Sequence, residues 1–212
     1  MHDGDPEAIY RASFRAVRAR LGRTAAGPGE RAVVERVVHA TADVALGESL
    51  RFRPGVVDQA VAALRAGAPI VVDSRMVAAG LLRHRLGSVP VKLWLDASGV
   101  EQEARARGVT RSRVAMERAV RHEPDGAVYV VGNAPTALDA LVDALEAGLV
   151  RPAAVVGLPV GFVGAREAKA RLWALADAPA ITNVGPRGGS AAAAAATNAL
   201  LLLAAGAPVT GR

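Results

Sequence analysis

Five short apolar runs limit what this chain can fold into: 68–73, 89–95, 127–131, 153–156 and 180–182. Each breaks into a carboxylate, at Asp73 or Asp96, or into a loop rich in glycine, proline and asparagine, and each is followed by a helical stretch. Apolar runs of this length bounded by turn residues suit strands buried on both faces, which is how parallel sheets are built. Strands alternating with helices at this spacing predict right-handed crossovers and an α/β fold. The expectation is one domain over 1–212 with a mainly parallel five-stranded sheet and helices on both faces. Ligands in such folds bind at the carboxyl ends of the strands, where the Gly/Pro/Asn loops occur. A piece at 47–53 reads as a short extended segment outside this pattern.

The first helix is expected to start at the Asp5-Pro6 pair, as N-cap and first position, and to run to about Leu21. Its apolar stripe of Ile9, Ala16, Val17 and Leu21 includes Ser13, whose hydroxyl needs a partner there, either the carbonyl one turn back or a ligand. Residues 24–29 form a loop. The next helix carries Val33, Val34, Val37 and Val38 on a buried face, with Glu30, Arg31, Glu35 and Arg36 assigned to the wet side. It runs into His39-Ala40-Thr41-Ala42-Asp43. An imidazole at the negative end of a helix dipole is favoured in its protonated form, and Asp43 one turn on is placed to orient it. Such a group can deliver a proton near neutral pH. Taken alone, the position suits a capping or buried structural histidine better.

Composition narrows the chemistry. There is no cysteine, which removes disulfides, thiolate metal sites and cysteine nucleophiles. His2, His39, His84 and His122 show no metal-ligand spacing, so no metal is expected. Gly157 to Gly164 does not fit GxGxxG, and no Gly-Lys-Ser/Thr is present, which argues against a nucleotide cofactor. Aromatics at 3% argue against a single-strand stacking platform for nucleic acid. The run at 191–207 is interrupted by Thr197, Asn198 and Gly206 and is read as a buried helix, not a membrane span. The polar opening Met1-His2-Asp3-Gly4-Asp5 lacks the features of a secretion signal, and a cytoplasmic protein is expected. A formal net charge of +6 implies an acidic partner, and arginines spread along the chain favour a pocket over a nucleic-acid arm. Thr110 is expected to cap a helix that begins at Arg111, the arginine best placed to meet an anion.

Six separated stretches carry a family resemblance. They are 36–43 (Arg-Val-Val-His-Ala-Thr-Ala-Asp), Asp73 with 76–80, 108–112 (Gly-Val-Thr-Arg-Ser), 132–138 (Gly-Asn-Ala-Pro-Thr-Ala-Leu), 157–165 (Gly-Leu-Pro-Val-Gly-Phe-Val-Gly-Ala) and 187–190 (Arg-Gly-Gly-Ser). In this order the chain resembles the precorrin-8X methylmutases of cobalamin biosynthesis. The resemblance implies a flavodoxin-like doubly wound domain, a homodimer, and an isomerase without cofactor. Its reaction moves a methyl group from carbon 11 to carbon 12 of a tetrapyrrole macrocycle, giving hydrogenobyrinic acid. It makes His39 the catalytic acid and carries substrate contacts over to Ser13 and Arg111. Thr41, Asn133, Thr136 and Gly161, within the matching stretches, are taken as further substrate-binding positions, and Asp43 as a supporting residue. A macrocycle with several carboxylates is a partner that a +6 chain attracts. Two readings stand beside this one: the cobalt-precorrin-8 methylmutase of the anaerobic branch, and a corrinoid-binding protein that does not turn its ligand over. The chain departs from the family pattern at Ala168, where a serine is usual, and at Leu93, where many members have cysteine.

Overall fold

The computed structural model describes residues 5–22 and 26–208; His2 and the start of the 24–29 loop lie outside the described residues. The apolar runs form β2 (Ile70–Val72), β3 (Val91–Leu93), β4 (Val128–Val131), β5 (Ala154–Gly157) and β6 (Ala180–Asn183), paired in parallel. The expected five-stranded sheet is too small. The extended piece at 47–53 becomes β1 (Leu50–Phe52), antiparallel to β6 with Leu50 opposite Asn183, and the six-stranded order is β1-β6-β5-β4-β2-β3. At three residues, one of them the exposed Arg51, β1 is too short to show an alternating pattern. The chain reverses its direction of travel across the sheet between β2 and β4, which makes a switch point where their carboxyl ends meet.

Alternation along the strands builds two cores. Ile70, Val72, Val128, Val130, Ala154, Val156 and Ile181 share one face with α2 (Pro28–Thr41), α4 (Val56–Arg65), α5 (Arg75–Gly80) and α11 (Ser190–Ala204). Val71, Tyr129, Val131, Val155 and Ala180 share the other with α8 (Arg111–His122), α9 (Pro135–Glu146) and α10 (Ala165–Ala174). The alanine-rich α11 is buried along most of its length, as its interrupted apolar run predicts. Its small side chains sit so close to the sheet that a Cβ on Gly132 would meet the Ala193 methyl at 2.7 Å. No described helix is long and apolar enough to cross a membrane.

α1 (Pro6–Leu21), capped by Asp5, lays Val17 and Leu21 against Val34 and Val38 of α2. α3 (Val44–Glu48) then leads into β1. Pro54 stands ahead of α4 instead of opening it, because Gly55 at φ 75° makes the entry turn. The short α6 (Arg83–Leu86) precedes β3, and α7 (Val100–Arg107) links β3 to α8.

Candidate active site

His39 lies in the last turn of α2, which ends at Ala42 in the left-handed conformation. Its Nδ1 is 2.9 Å from Ser13 Oγ on α1. The hydroxyl that the α1 stripe left in search of a partner therefore finds a side chain. Phe14 stacks on the imidazole at 4.6 Å between centroids and 18° between planes, and Tyr10 meets it edge-on at 5.0 Å. Three residues of α1, Tyr10 and, one turn on, Ser13 and Phe14, thus hold one ring. Ser13 meets the ring at Nδ1, not at Nε2.

Two expectations about this helix fail. Glu35 and Arg36, assigned to the wet face, are 4% and 8% exposed. Glu35 accepts from Arg18 and Arg31, each at 2.9 Å, and so pins α1 to α2; Arg36 donates to Tyr10 Oη at 2.7 Å. Charge alternation looks the same whether charges meet water or each other. Nor does the helix dipole prevail at His39. Burial first, and the Arg36 guanidinium second, hold its pKa below the ordinary 6.5.

Asp43 caps α3, its carboxylate accepting from Leu46 N–H at 2.9 Å and pairing with Arg187 Nε at 3.3 Å. Orientation of the imidazole falls to Ser13. Thr41 donates to Val37 O at 2.8 Å and accepts from Asp43 N–H at 3.3 Å, which shapes the end of α2.

At the switch point Asp73, 4% exposed, accepts from the backbone N–H groups of Gly132 (3.0 Å), Asn133 (2.8 Å) and Ala134 (2.8 Å). Burial raises its pKa while the three N–H donors oppose the rise. Asn133 is thereby presented with an exposed side chain. Thr136 Oγ1 lies 2.6 Å from Thr110 Oγ1, and Thr110 caps α8 as its sequence position predicts. Arg111 follows, exposed, with a 3.4 Å bond to Leu95 O, beside a cleft of about 330 Å³ that it lines with Arg75, Asp96 and Ser98. Gly161, at φ 154°, donates its N–H to Pro186 O at 3.1 Å and lines a second cleft, about 490 Å³, with Ser49, Val160, Phe162, Val184 and Arg187.

The structure brings Ser13, His39, Thr41 and Asp43 together on the β1 side, and Arg187 joins them to the Gly161 cleft. Asn133 and Thr136 sit at the sheet centre, and Arg111 lies toward the β3 edge. Asp73 and Lys169 are parts that sequence reasoning left without a role. Lys169, 2% exposed, donates to Asn183 Oδ1 at 3.0 Å and to Arg187 O at 2.6 Å, and burial pushes its pKa down to about 8. For Asp73 the signal was a carboxylate ending an apolar strand; a lysine in a charged helix gave none. Among the described residues no three His, Asp or Glu side chains group as a metal site requires.

The family model for precorrin-8X methylmutase matches residues 8–203. A precorrin-8X methylmutase of Pseudomonas aeruginosa is 45% identical over 190 residues, 88% of this chain and 90% of that one. A cobalt-precorrin-8 methylmutase of Priestia megaterium is 37% identical over 187 residues, 87% of this chain and 82% of the relative. The crystal structure of the Thermus thermophilus precorrin-8X methyl mutase superposes with a TM-score of 0.84 at 42% identity, covering 94% of this chain and 98% of that one. The chain belongs to the precorrin-8X methylmutase family, a family of isomerases in cobalamin biosynthesis.

Proposed function

We propose that this chain moves the methyl group of precorrin-8X from carbon 11 to carbon 12 to give hydrogenobyrinic acid, with His39 as the proton donor. The observation that carries the reading is the 2.9 Å Ser13–His39 pair, with Phe14 stacked on the ring and Tyr10 at its edge. The imidazolium gives its Nε2 proton to the macrocycle, the methyl migrates in a sigmatropic step, and the neutral imidazole takes the proton back. Substrate and product are isomers, so no oxidant, reductant or cofactor enters the balance. A lowered pKa makes the imidazolium the stronger donor, and Ser13 with Phe14 fixes the plane in which it acts. Arg111 and the loops bearing Thr41, Asn133, Thr136 and Gly161 receive the peripheral carboxylates, with backbone N–H groups and positive charge doing the work. Asp43 supports the site by capping α3 and holding Arg187.

We read the fold as a single flavodoxin-like domain, since its five parallel strands follow the order 2-1-3-4-5 when counted along the chain. The reading includes a cytoplasmic homodimer without nucleic-acid or membrane partners. Val160, Phe162, Val163 and Val184, exposed at 45%, 99%, 88% and 53% around the carboxyl edge, support a second copy there. Conversion of precorrin-8X, followed by the change in absorption spectrum, tests the assignment. His39→Ala is expected to lose roughly 100-fold or more in rate while still binding the pigment. Unchanged conversion by that variant removes His39 as the acid, and faster conversion of the cobalt-bearing substrate by the parent protein assigns the other branch.

A further inference from the structure

Lys169 takes no part in the proton transfer. It stands on α10, the helix that leaves the 157–164 loop through Gly164, and it is buried. Its ammonium donates to Asn183 Oδ1 at 3.0 Å and to Arg187 O at 2.6 Å. Asn183, also buried, donates from Nδ2 to the same Arg187 O at 3.0 Å, to Val184 O at 3.2 Å and to Ser49 Oγ at 3.5 Å. A buried cation and a buried amide thus converge on one carbonyl. Burying an ammonium is costly, but a charge-assisted bond is roughly twice as strong as a neutral one. The residues on either side are fastened by backbone alone: Pro186 O accepts from Gly161 N–H at 3.1 Å, and Gly189 N–H donates to Leu158 O at 2.8 Å. Between them Arg187 is held from α10.

We propose that Lys169 is a positioning residue for Arg187: by holding the Arg187 carbonyl it sets the guanidinium at the cleft, where the planar fork receives a carboxylate of the ligand. The inference deepens the reading above and rests on it for the ligand's chemistry. Arg187 is suited to that part. Its Nε pairs with Asp43 Oδ2 at 3.3 Å while the side chain stays 59% exposed, and it lines the 490 Å³ cleft with Ser49, Gly161 and Val184. A guanidinium meets a carboxylate through two parallel N–H groups, so its direction matters as much as its charge. Asp43, its partner, ends the stretch that begins at His39 and caps α3; Ser49 closes α3 and takes Val184 N–H on its carbonyl at 3.2 Å. Lys169 and Asn183 therefore tie α10, the end of β6, the 183–189 loop and the end of α3 into one wall. Burial pushes the Lys169 pKa down to about 8, which keeps the ammonium form at neutral pH.

The test is a double-mutant cycle of Lys169→Met and Arg187→Met. It is read as the dissociation constant of hydrogenobyrinic acid, by absorption titration, and as kcat and KM for precorrin-8X. Lys169→Met is expected to weaken binding and raise KM roughly 10-fold, with a smaller change in kcat, and to add little once Arg187 is already Met. Additive losses, or a loss confined to kcat, overturn the proposal. Backbone amide exchange of the ligand-free protein, followed by mass spectrometry, gives a second readout. Lys169→Met is expected to speed exchange in 184–189 and to leave β2 and β4 at parent rates; parent rates in 184–189 overturn the proposal as well. If the Met variant does not fold, Lys169→Gln, which keeps a donor but loses the charge and the reach, enters the same cycle and the same exchange measurement. A parent protein that converts no precorrin-8X defeats the functional reading, whereas additive losses in a converting protein remove only the role given to Lys169.

Discussion

Ser13 holds the His39 ring through Nδ1. Ser13→Ala removes a hydrogen bond worth about 1 kcal/mol and releases the ring, so kcat is expected to fall roughly 5–30-fold with little change in pigment affinity. Single-turnover conversion beside equilibrium binding separates the two, and an unchanged kcat removes Ser13 from the site. His39 also links folding to pH. Its folded pKa lies below the ordinary 6.5, so the unfolded chain takes up the proton first as pH falls. Its contribution is complete above pH 6.5 and is lost as pH drops through the folded value. Urea unfolding across this range is expected to show a shallower acid loss in His39→Gln than in the parent. At this scale the sequence exposed the odd residues: a histidine at a helix end and a serine among apolar positions. It hid Glu35 and Arg36, since pairing of buried charges is settled by a second helix.

Loops 157–164 and 183–189 depend on a close backbone approach. Gly188, at φ 151°, would bring a Cβ to 2.3 Å from Leu158 O and 2.8 Å from Pro159 O, both backbone atoms. Gly188→Ala is therefore expected to cost on the order of 1–3 kcal/mol in thermal unfolding and to weaken pigment binding further, because the Gly161–Pro186 and Gly189–Leu158 bonds lie in the same crossing. A variant with parent stability and affinity would show that the loops part easily. Long elements were legible because their spacing repeats over several turns and their caps stand out; Asp5 and Thr110 each cap the helix that follows. The one-turn α6 and the five-residue α3 were not, as each is too short to carry a period, and the extended piece at 47–53 was legible without its pairing to β6. Asp73 and Lys169 show the same limit, since the backbone groups they hold come from distant loops.

Taken whole, the chain has a split character: alternating strands and helices announced the sheet, while the proposed ligand mouth belongs to loops whose partners the sequence does not name. The proposed dimer brings one more surface into play at that mouth. Phe162, 99% exposed, is its most prominent apolar residue. Phe162→Glu is expected to shift sedimentation from dimer to monomer, and a parent protein that sediments as a monomer would end that reading. The antiparallel strand β1 has a different reach. It ties Leu50 to Asn183, and α2, which carries His39, packs along α11. Ser13 and His39, on α1 and α2, precede β6 and α11 in the chain. The helix with the proposed donor is thus made before the strand and helix that complete the sheet and its cover on that side.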